Sequence, residues 1–194
     1  VVFNHTAELA VSGTAEHFKL LGCVDWYLLS KDGEFLNFSG CGNTFKCAGP
    51  RARRMIRDSL VYWAQNLGVD GFRFDLASIL ERDPIGNFHQ GPELLWELKN
   101  DPGLAGIKMI AEPWDAVGGY RLGYPSKNAG WAEWNDFFRD TVRKAVRGDE
   151  GQMTALKEAI LGSPGKLGSN EKSREISINF ITSHEGMTLN DLLS

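Results

Sequence analysis

The sequence predicts an α/β fold with parallel strands, and three observations carry that prediction. Short apolar runs such as "DGFRF", "IKMIA" and "INFI" alternate with stretches of helical period. Loops rich in glycine and proline separate them. The polar residues of most chemical interest stand directly after the strand-like runs: Asn4 and His5, Arg73 and Asp75, Glu112, Trp134 and Asn135, His184 and Glu185. In a (β/α)8 barrel such carboxyl ends converge on one face, where active sites lie. A doubly wound sheet also binds at its carboxyl edge, but through a Gly-rich phosphate loop. The nearest candidate, "GCGNTF" from Gly40, lacks a third glycine and follows no clear strand.

Taken in order, "VVF" reads as the end of a buried strand, and about Thr6 to Gly49 as a long irregular stretch. Pro50 opens a helix at the position proline favours. Ile56, Leu60, Trp63, Ala64 and Leu67 form its apolar face, Arg54 and Asp58 pair on the other side, and Gly68 stops it. "VDGFRFDLA" is a strand ending near Asp75, and Glu93 to Asn100 a helix. "IKMIAEPW" is a strand ending near Glu112, and "GWAEWN" another strand end. Phe137, Phe138, Thr141, Val142 and Ala145 mark an amphipathic helix, followed by a second from about Gly151 to Leu161. A polar loop from Gly162 to Arg174 leads into the last apolar run, Ile178 to Ile181.

Composition excludes several classes. The chain has 194 residues, 42% hydrophobic and 24% charged, with a formal net charge of −4. That suits an ordinary globular core and favours neither nucleic acid nor an anionic membrane as partner. The one basic run, "RARRMIR" from Arg51, reads as the solvated face of a helix. Cys23, Cys41 and Cys47 are odd in number and lack CxxC spacing, so neither a disulfide framework nor a zinc site is expected. No apolar run is long enough to span a bilayer. The zincin spacing fails because Thr188 stands where the second histidine would be, and no GxSxG elbow occurs.

Asp75 and Glu112 carry the chemistry. Each ends an apolar strand, and they are one strand–helix unit apart. Neighbouring strands lie about 5 Å apart, so the two carboxylates are placed to face each other across a small gap. Two carboxyls about 5–5.5 Å apart serve a retaining glycosidase, one attacking the sugar carbon and the other protonating the leaving oxygen. Close like charges raise one pKa and keep the donor protonated. Arg73 shares a face with Asp75 and favours its ionised form. The same three residues would also make a barrel-rim salt bridge. Aromatic residues in or near the loops tilt the balance, because rings cover the apolar faces of sugars: Trp26, Tyr27, Trp114, Tyr120, Tyr124, Trp131 and Trp134.

"VVFNH", "GFRFD", "IAEPW" and "FITSHE" resemble, in order, the four short conserved regions of the α-amylase superfamily of glycoside hydrolases. More narrowly, "FSGCGNTF", "IRDSLVYWAQNLGVDGFRFDLAS", "GWAEWNDFFRDTVRKAVRGD" and "SINFITSHEGMTLNDLLS" resemble the isoamylase and glycogen-debranching branch. The resemblance covers essentially the whole chain. It implies a partial (β/α)8 TIM barrel, about strands 3 to 7 with their helices, and retaining hydrolysis of α-1,6 branch points in glycogen or starch. By it, Asp75 matches the nucleophile, Glu112 the general acid/base and Arg73 the arginine supporting the nucleophile. His5 and His184 match histidines that bind the sugar being cleaved, and Asn4 the partner of the first. Trp114, Trp131 and Trp134 are the aromatic residues expected to contact the glucan. No metal or cofactor is expected, and calcium is left open. The implied partner is a branched α-glucan, with no oligomeric state specified. The implied location is cytoplasmic, or plastid in a photosynthetic eukaryote.

Two departures follow from the same comparison of residues. The third carboxylate of the family is an aspartate after the second histidine, whereas Glu185 stands here, one methylene longer. A site tolerates about 0.5 Å of misplacement, so Glu185 is expected to impair or locally readjust it. The barrel normally needs about 250 residues. The chain is therefore expected to be the central part of a single catalytic barrel, incomplete at both ends. Alone, with unpaired sheet edges, it is expected to be inactive and to aggregate or be molten. Two other readings remain: a non-catalytic isoamylase-like glucan-binding subunit, and an α-1,4-acting member of the superfamily.

Overall fold

The structure, a computed structural model, describes residues 1–168, 175–184, 188, 190 and 191. Its centre is a four-stranded parallel sheet in sequential order: β1 (Gly71–Phe74), β2 (Lys108–Ala111), β3 (Ala132–Asn135) and β4 (Ser177–Asn179). A short helix α1 (Cys23–Trp26) and the long α2 (Pro50–Leu67) precede β1. Between strands lie α3 (Glu93–Asn100), α4 (Tyr124–Ala129), then α5 (Asp136–Arg147), α6 (Met153–Ile160) and α7 (Pro164–Leu167). Sequential parallel strands joined through helices are an arc of a (β/α)8 barrel. Val1–Phe3 runs beside β1 without becoming a strand. The Val1 nitrogen donates to the Arg73 carbonyl at 2.6 Å, and its carbonyl accepts from the Asp75 N–H at 3.0 Å.

The pleat sorts the side chains. Phe72, Phe74 and Ala111 point to the helices and are buried with Ile56, Leu60, Leu94 and Leu98. Arg73 and Asp75 point to the other face. Helix α2 begins at Pro50 and closes on Gly68 in the left-handed conformation, as its sequence predicts. Arg54 and Asp58 approach to 3.5 Å on its exposed side. Its predicted apolar face needs correction, because Trp63 and Leu67 are about half exposed. An 18-residue helix rises about 27 Å and a four-residue strand about 13 Å, so the last turns run past the sheet.

The stretch from Thr6 to Gly49 holds more order than its sequence predicts. Antiparallel bridges join Tyr27 to Phe45 and Leu29 to Phe35. Phe18, Trp26, Tyr27, Phe35 and Phe45 pack ring against ring. Trp26 and Tyr27 are therefore core residues, buried in that cluster. Single-residue bridges leave no periodic signal to read, which is why the stretch looks irregular in sequence.

Candidate active site

Register places the candidate carboxylates. Phe74 pairs with Ala111, and Ala111 with Glu133. One residue on, Asp75, Glu112 and Trp134 therefore stand level on three neighbouring strands, on the face away from the helices. Arg73, one pleat below Asp75, reaches up between them. Its Nη1 is 2.5 Å from Asp75 Oδ1 and its Nη2 is 2.7 Å from Glu112 Oε1. Its guanidinium also lies over the Trp134 ring, 4.2 Å from the centroid. One planar cation thus touches both carboxylates and an aromatic face, which a lysine's point charge cannot do.

Asn4 is fully buried beside them. Its amide donates to the Asp75 carbonyl at 2.8 Å and to Asp75 Oδ2 at 2.9 Å. Its carbonyl oxygen meets His5 Nδ1. Since the amide nitrogen faces Asp75, that oxygen is the acceptor and His5 Nδ1 carries the hydrogen. Partial burial pushes the Asp75 carboxyl up. The hydrogen bonds from Asn4 and Arg73, with the Arg73 and His5 charges, outweigh that and hold it below the usual aspartate range.

Glu112 has no exposed surface. Its Oε2 accepts the Leu76 N–H at 2.7 Å, and its backbone carbonyl accepts the Ala77 N–H at 2.8 Å. Leu76, directly after Asp75, is held in the left-handed region at φ 42°. A non-glycine residue there is strained, and such strain concentrates at functional positions. The Glu112 carboxylate is what that backbone N–H donates to.

The aromatic expectations divide. Trp134 lies on the site face, 5.0 Å from Phe180 and 6.0 Å from His184 by ring centroids. Trp114 is half buried on the loop after β2 and bridges to Tyr120. Trp131 is a correction: it is 1% exposed and stacks on Phe74 at 4.5 Å on the helix side of the sheet. The pleat explains this, since it lies three positions before Trp134 and odd steps along a strand change face. Asn135 also faces the helix side, where it caps α5 by accepting the Phe138 N–H and donates to Ser163 and Ser177. His5 is half buried and His184 exposed, both at the site. Glu185 lies outside the described residues.

Two further residues join the site. Phe180 pairs with Trp134. Arg139, on α5, lies 5.6 Å from the Phe180 ring and 5.9 Å from the Trp114 ring, linking the two aromatic positions. Phe180 is part of the "FITSHE" run and was legible there only as a strand residue. Arg139 carries no sequence signal, because a helix arginine is ordinarily solvated. Among the described residues, no group of three or more His, Cys, Asp or Glu is placed to hold a metal ion, and no helix is long and apolar enough to cross a membrane.

No family model matches the chain. Curated proteins do. It is 43% identical to a chloroplastic isoamylase of Zea mays (Isoamylase SU1), with all of this chain and 27% of that protein aligned. It is 40% identical to a glycogen operon protein GlgX homolog of Haemophilus influenzae, over all of this chain and 29% of that protein. The chain thus spans between a quarter and a third of the length of these relatives. Among solved structures it superposes on a pullulanase of Bacillus acidopullulyticus with a TM-score of 0.74 at 28% identity, covering 98% of this chain and 24% of that one. A type I pullulanase of Bacillus subtilis complexed with maltose gives a TM-score of 0.75 at 27% identity, covering 100% and 28%. With these similarities along the whole chain, and with the strand-end motifs brought to one face, the chain belongs to the isoamylase and glycogen-debranching branch of the α-amylase superfamily.

Proposed function

We propose that the protein carrying this chain hydrolyses α-1,6 branch linkages of glycogen or starch, with retention, by double displacement. The observation that carries the reading is the shared guanidinium: Arg73 holds Asp75 and Glu112 side by side at level ends of adjacent strands. In the first step an Asp75 oxygen attacks C1 while Glu112 gives a proton to the bridging oxygen as the C1–O bond breaks. In the second, Glu112 takes a proton from water, which attacks C1 and releases Asp75. The depressed pKa of Asp75 suits a nucleophile that must be ionised. Glu112 is turned inward onto Leu76 and Arg73, so proton donation requires it to swing towards the open face.

Asn4 holds the Asp75 rotamer and the His5 tautomer. His5, His184, Trp134 and Trp114 are assigned to the sugar, and Glu185 to the third carboxylate. The reaction needs only these carboxylates and water, and no cofactor is assigned. A branched α-glucan is the proposed partner. The names of solved relatives complexed with maltotriose and maltose support glucan binding. The chain is assigned to the middle of one catalytic barrel, working in cytoplasm or plastid; the chloroplastic name of the Zea mays relative supports the plastid. The test is Asp75→Asn in the whole protein. Reducing-end release from a branched glucan should vanish with the melting temperature retained, and retained release would overturn the assignment. Faster release from a linear α-1,4 glucan than from a branched one would overturn the bond specificity.

A further inference from the structure

Asp115 stands three residues after Glu112, and Ser78 three residues after Asp75. The two meet. Asp115 Oδ2 accepts the Ser78 hydroxyl at 3.2 Å and Arg82 Nη2 at 2.5 Å, and the carboxylate is fully buried. Its Oδ1 accepts the N–H groups of Val117 at 3.1 Å and Gly119 at 2.7 Å. One carboxylate therefore ties the loop after β1 to the loop after β2. Its surroundings are built for it. Any side chain at position 119 would collide with the Asp115 carboxylate, so only glycine lets the loop fold over it. Arg82 is immobilised in turn, with its guanidinium 3.8 Å from the Phe38 ring centroid and 4.2 Å from that of Phe88.

We propose that Asp115 is a positioning residue for proton transfer: it sets where Glu112 stands relative to Asp75. The inference rests on the glycosidase reading above. The two loops are joined at two levels. Glu112 itself accepts from Leu76 and Ala77, and three residues on Asp115 accepts from Ser78 and Arg82. The side-chain half of the inner tie, from the Leu76 N–H to Glu112 Oε2, must loosen whenever Glu112 swings out to give its proton, while the Ala77 N–H bond to the Glu112 backbone carbonyl remains. The outer tie does not depend on Glu112, and it keeps the two strand ends in register during that movement. Without it the loop after β2 is held less firmly to the loop after β1, and its position beyond Glu112 can shift. A misplacement of about 1 Å costs on the order of 10²-fold in rate.

The loss should be selective for the step that needs the proton. In cleavage of a branch linkage, Glu112 protonates the departing sugar oxygen. With an α-maltosyl fluoride the C1–F bond breaks as the Asp75–C1 bond forms, and fluoride leaves as an anion without a proton. kcat/KM reports only up to the first irreversible step, so it isolates this difference.

The experiment compares the whole protein with its Asp115→Asn and Ser78→Ala variants on a branched α-1,6 oligosaccharide and on α-maltosyl fluoride. Ser78→Ala removes one of the two bonds in the outer tie and leaves the other, the Asp115–Arg82 ion pair, so it keeps the fold and weakens the link. For Asp115→Asn, kcat/KM on the branched substrate should fall about 10²-fold and on the fluoride less than about 3-fold. Ser78→Ala should show the same selectivity with a loss of about 3- to 10-fold. Equal losses on both substrates, or none in either variant, would overturn the proposal alone. A wild-type protein inactive on both substrates would overturn the glycosidase reading and this inference with it. If Asp115→Asn does not fold, Ser78→Ala decides.

Discussion

Leu76 gives its backbone N–H to the buried carboxylate of Glu112 at 2.7 Å while held at φ 42°. The residue after one candidate catalytic carboxylate is thereby clamped by the other. The strain at Leu76 and the burial of Glu112 are one feature, because releasing either exposes an unpaired group to the other strand end.

That coupling separates two substitutions of Glu112. Glu112→Gln keeps an oxygen for the Leu76 N–H, while its amide NH2 replaces the oxygen that faced Arg73, so the protein should fold with some loss of stability and lose the proposed branch hydrolysis. Both variants leave Arg73 with one carboxylate fewer, but only Glu112→Ala also orphans the Leu76 N–H. It should cost a further ~1–3 kcal/mol, read as the difference in denaturant midpoint between the two variants.

Trp131 and Trp134 lie three residues apart on opposite faces, and their alanine variants should differ in kind. Trp131→Ala empties a space against Phe74 in the core and should destabilise by about 3–5 kcal/mol. Trp134→Ala removes the platform beside Arg73 and His184. It should raise KM for a branched glucan with a much smaller change in melting temperature. Isothermal kinetics and thermal melts of both variants check this.

Glu81 makes stability depend on pH. Burial pushes its carboxyl up to about 8, with the Arg121 partner at 2.8 Å offsetting only part. Its folded pKa exceeds its unfolded value of 4.5, so the folded state holds a proton that the unfolded state has lost. That stabilisation is fully present below pH 4.5 and is lost as pH rises through about 8, by up to about 5 kcal/mol. Glu133 is raised by burial and acts in the same direction. Glu81→Gln should flatten, without abolishing, the fall in melting temperature between pH 5 and pH 8. An unchanged slope would contradict the assignment.

Glu185 differs from the family's aspartate by one methylene. Hydrogen bonds that tighten in the transition state are the ones a displaced carboxylate loses. Glu185→Asp in the whole protein should therefore raise kcat on branched glucan about tenfold or more, with a smaller change in KM. An unchanged kcat would mean that the longer side chain is accommodated.

Much of this protein is written locally. The Pro50 start and Gly68 stop of α2, the helix at Glu93–Asn100 and the strand ends at Asp75 and Glu112 follow from propensity, capping and period. That places Asp75 and Glu112 at strand ends, whereas Asn4 follows a run that lies beside β1 without becoming a strand. What the sequence alone leaves open is which face of a strand, and which neighbour, a side chain meets. Trp131 and Trp134 look alike in sequence, and the pleat sends one into the core and the other to the site. Arg73 could serve either carboxylate by sequence; the register of β1 on β2 lets it touch both. Asp115 and Ser78 carry no motif at all and meet only because two loops leave adjacent strands at the same level. Local residues set the elements through short-range sterics and hydrogen bonding. Register and pleat, which depend on contacts distant in sequence, decide the chemistry those elements assemble.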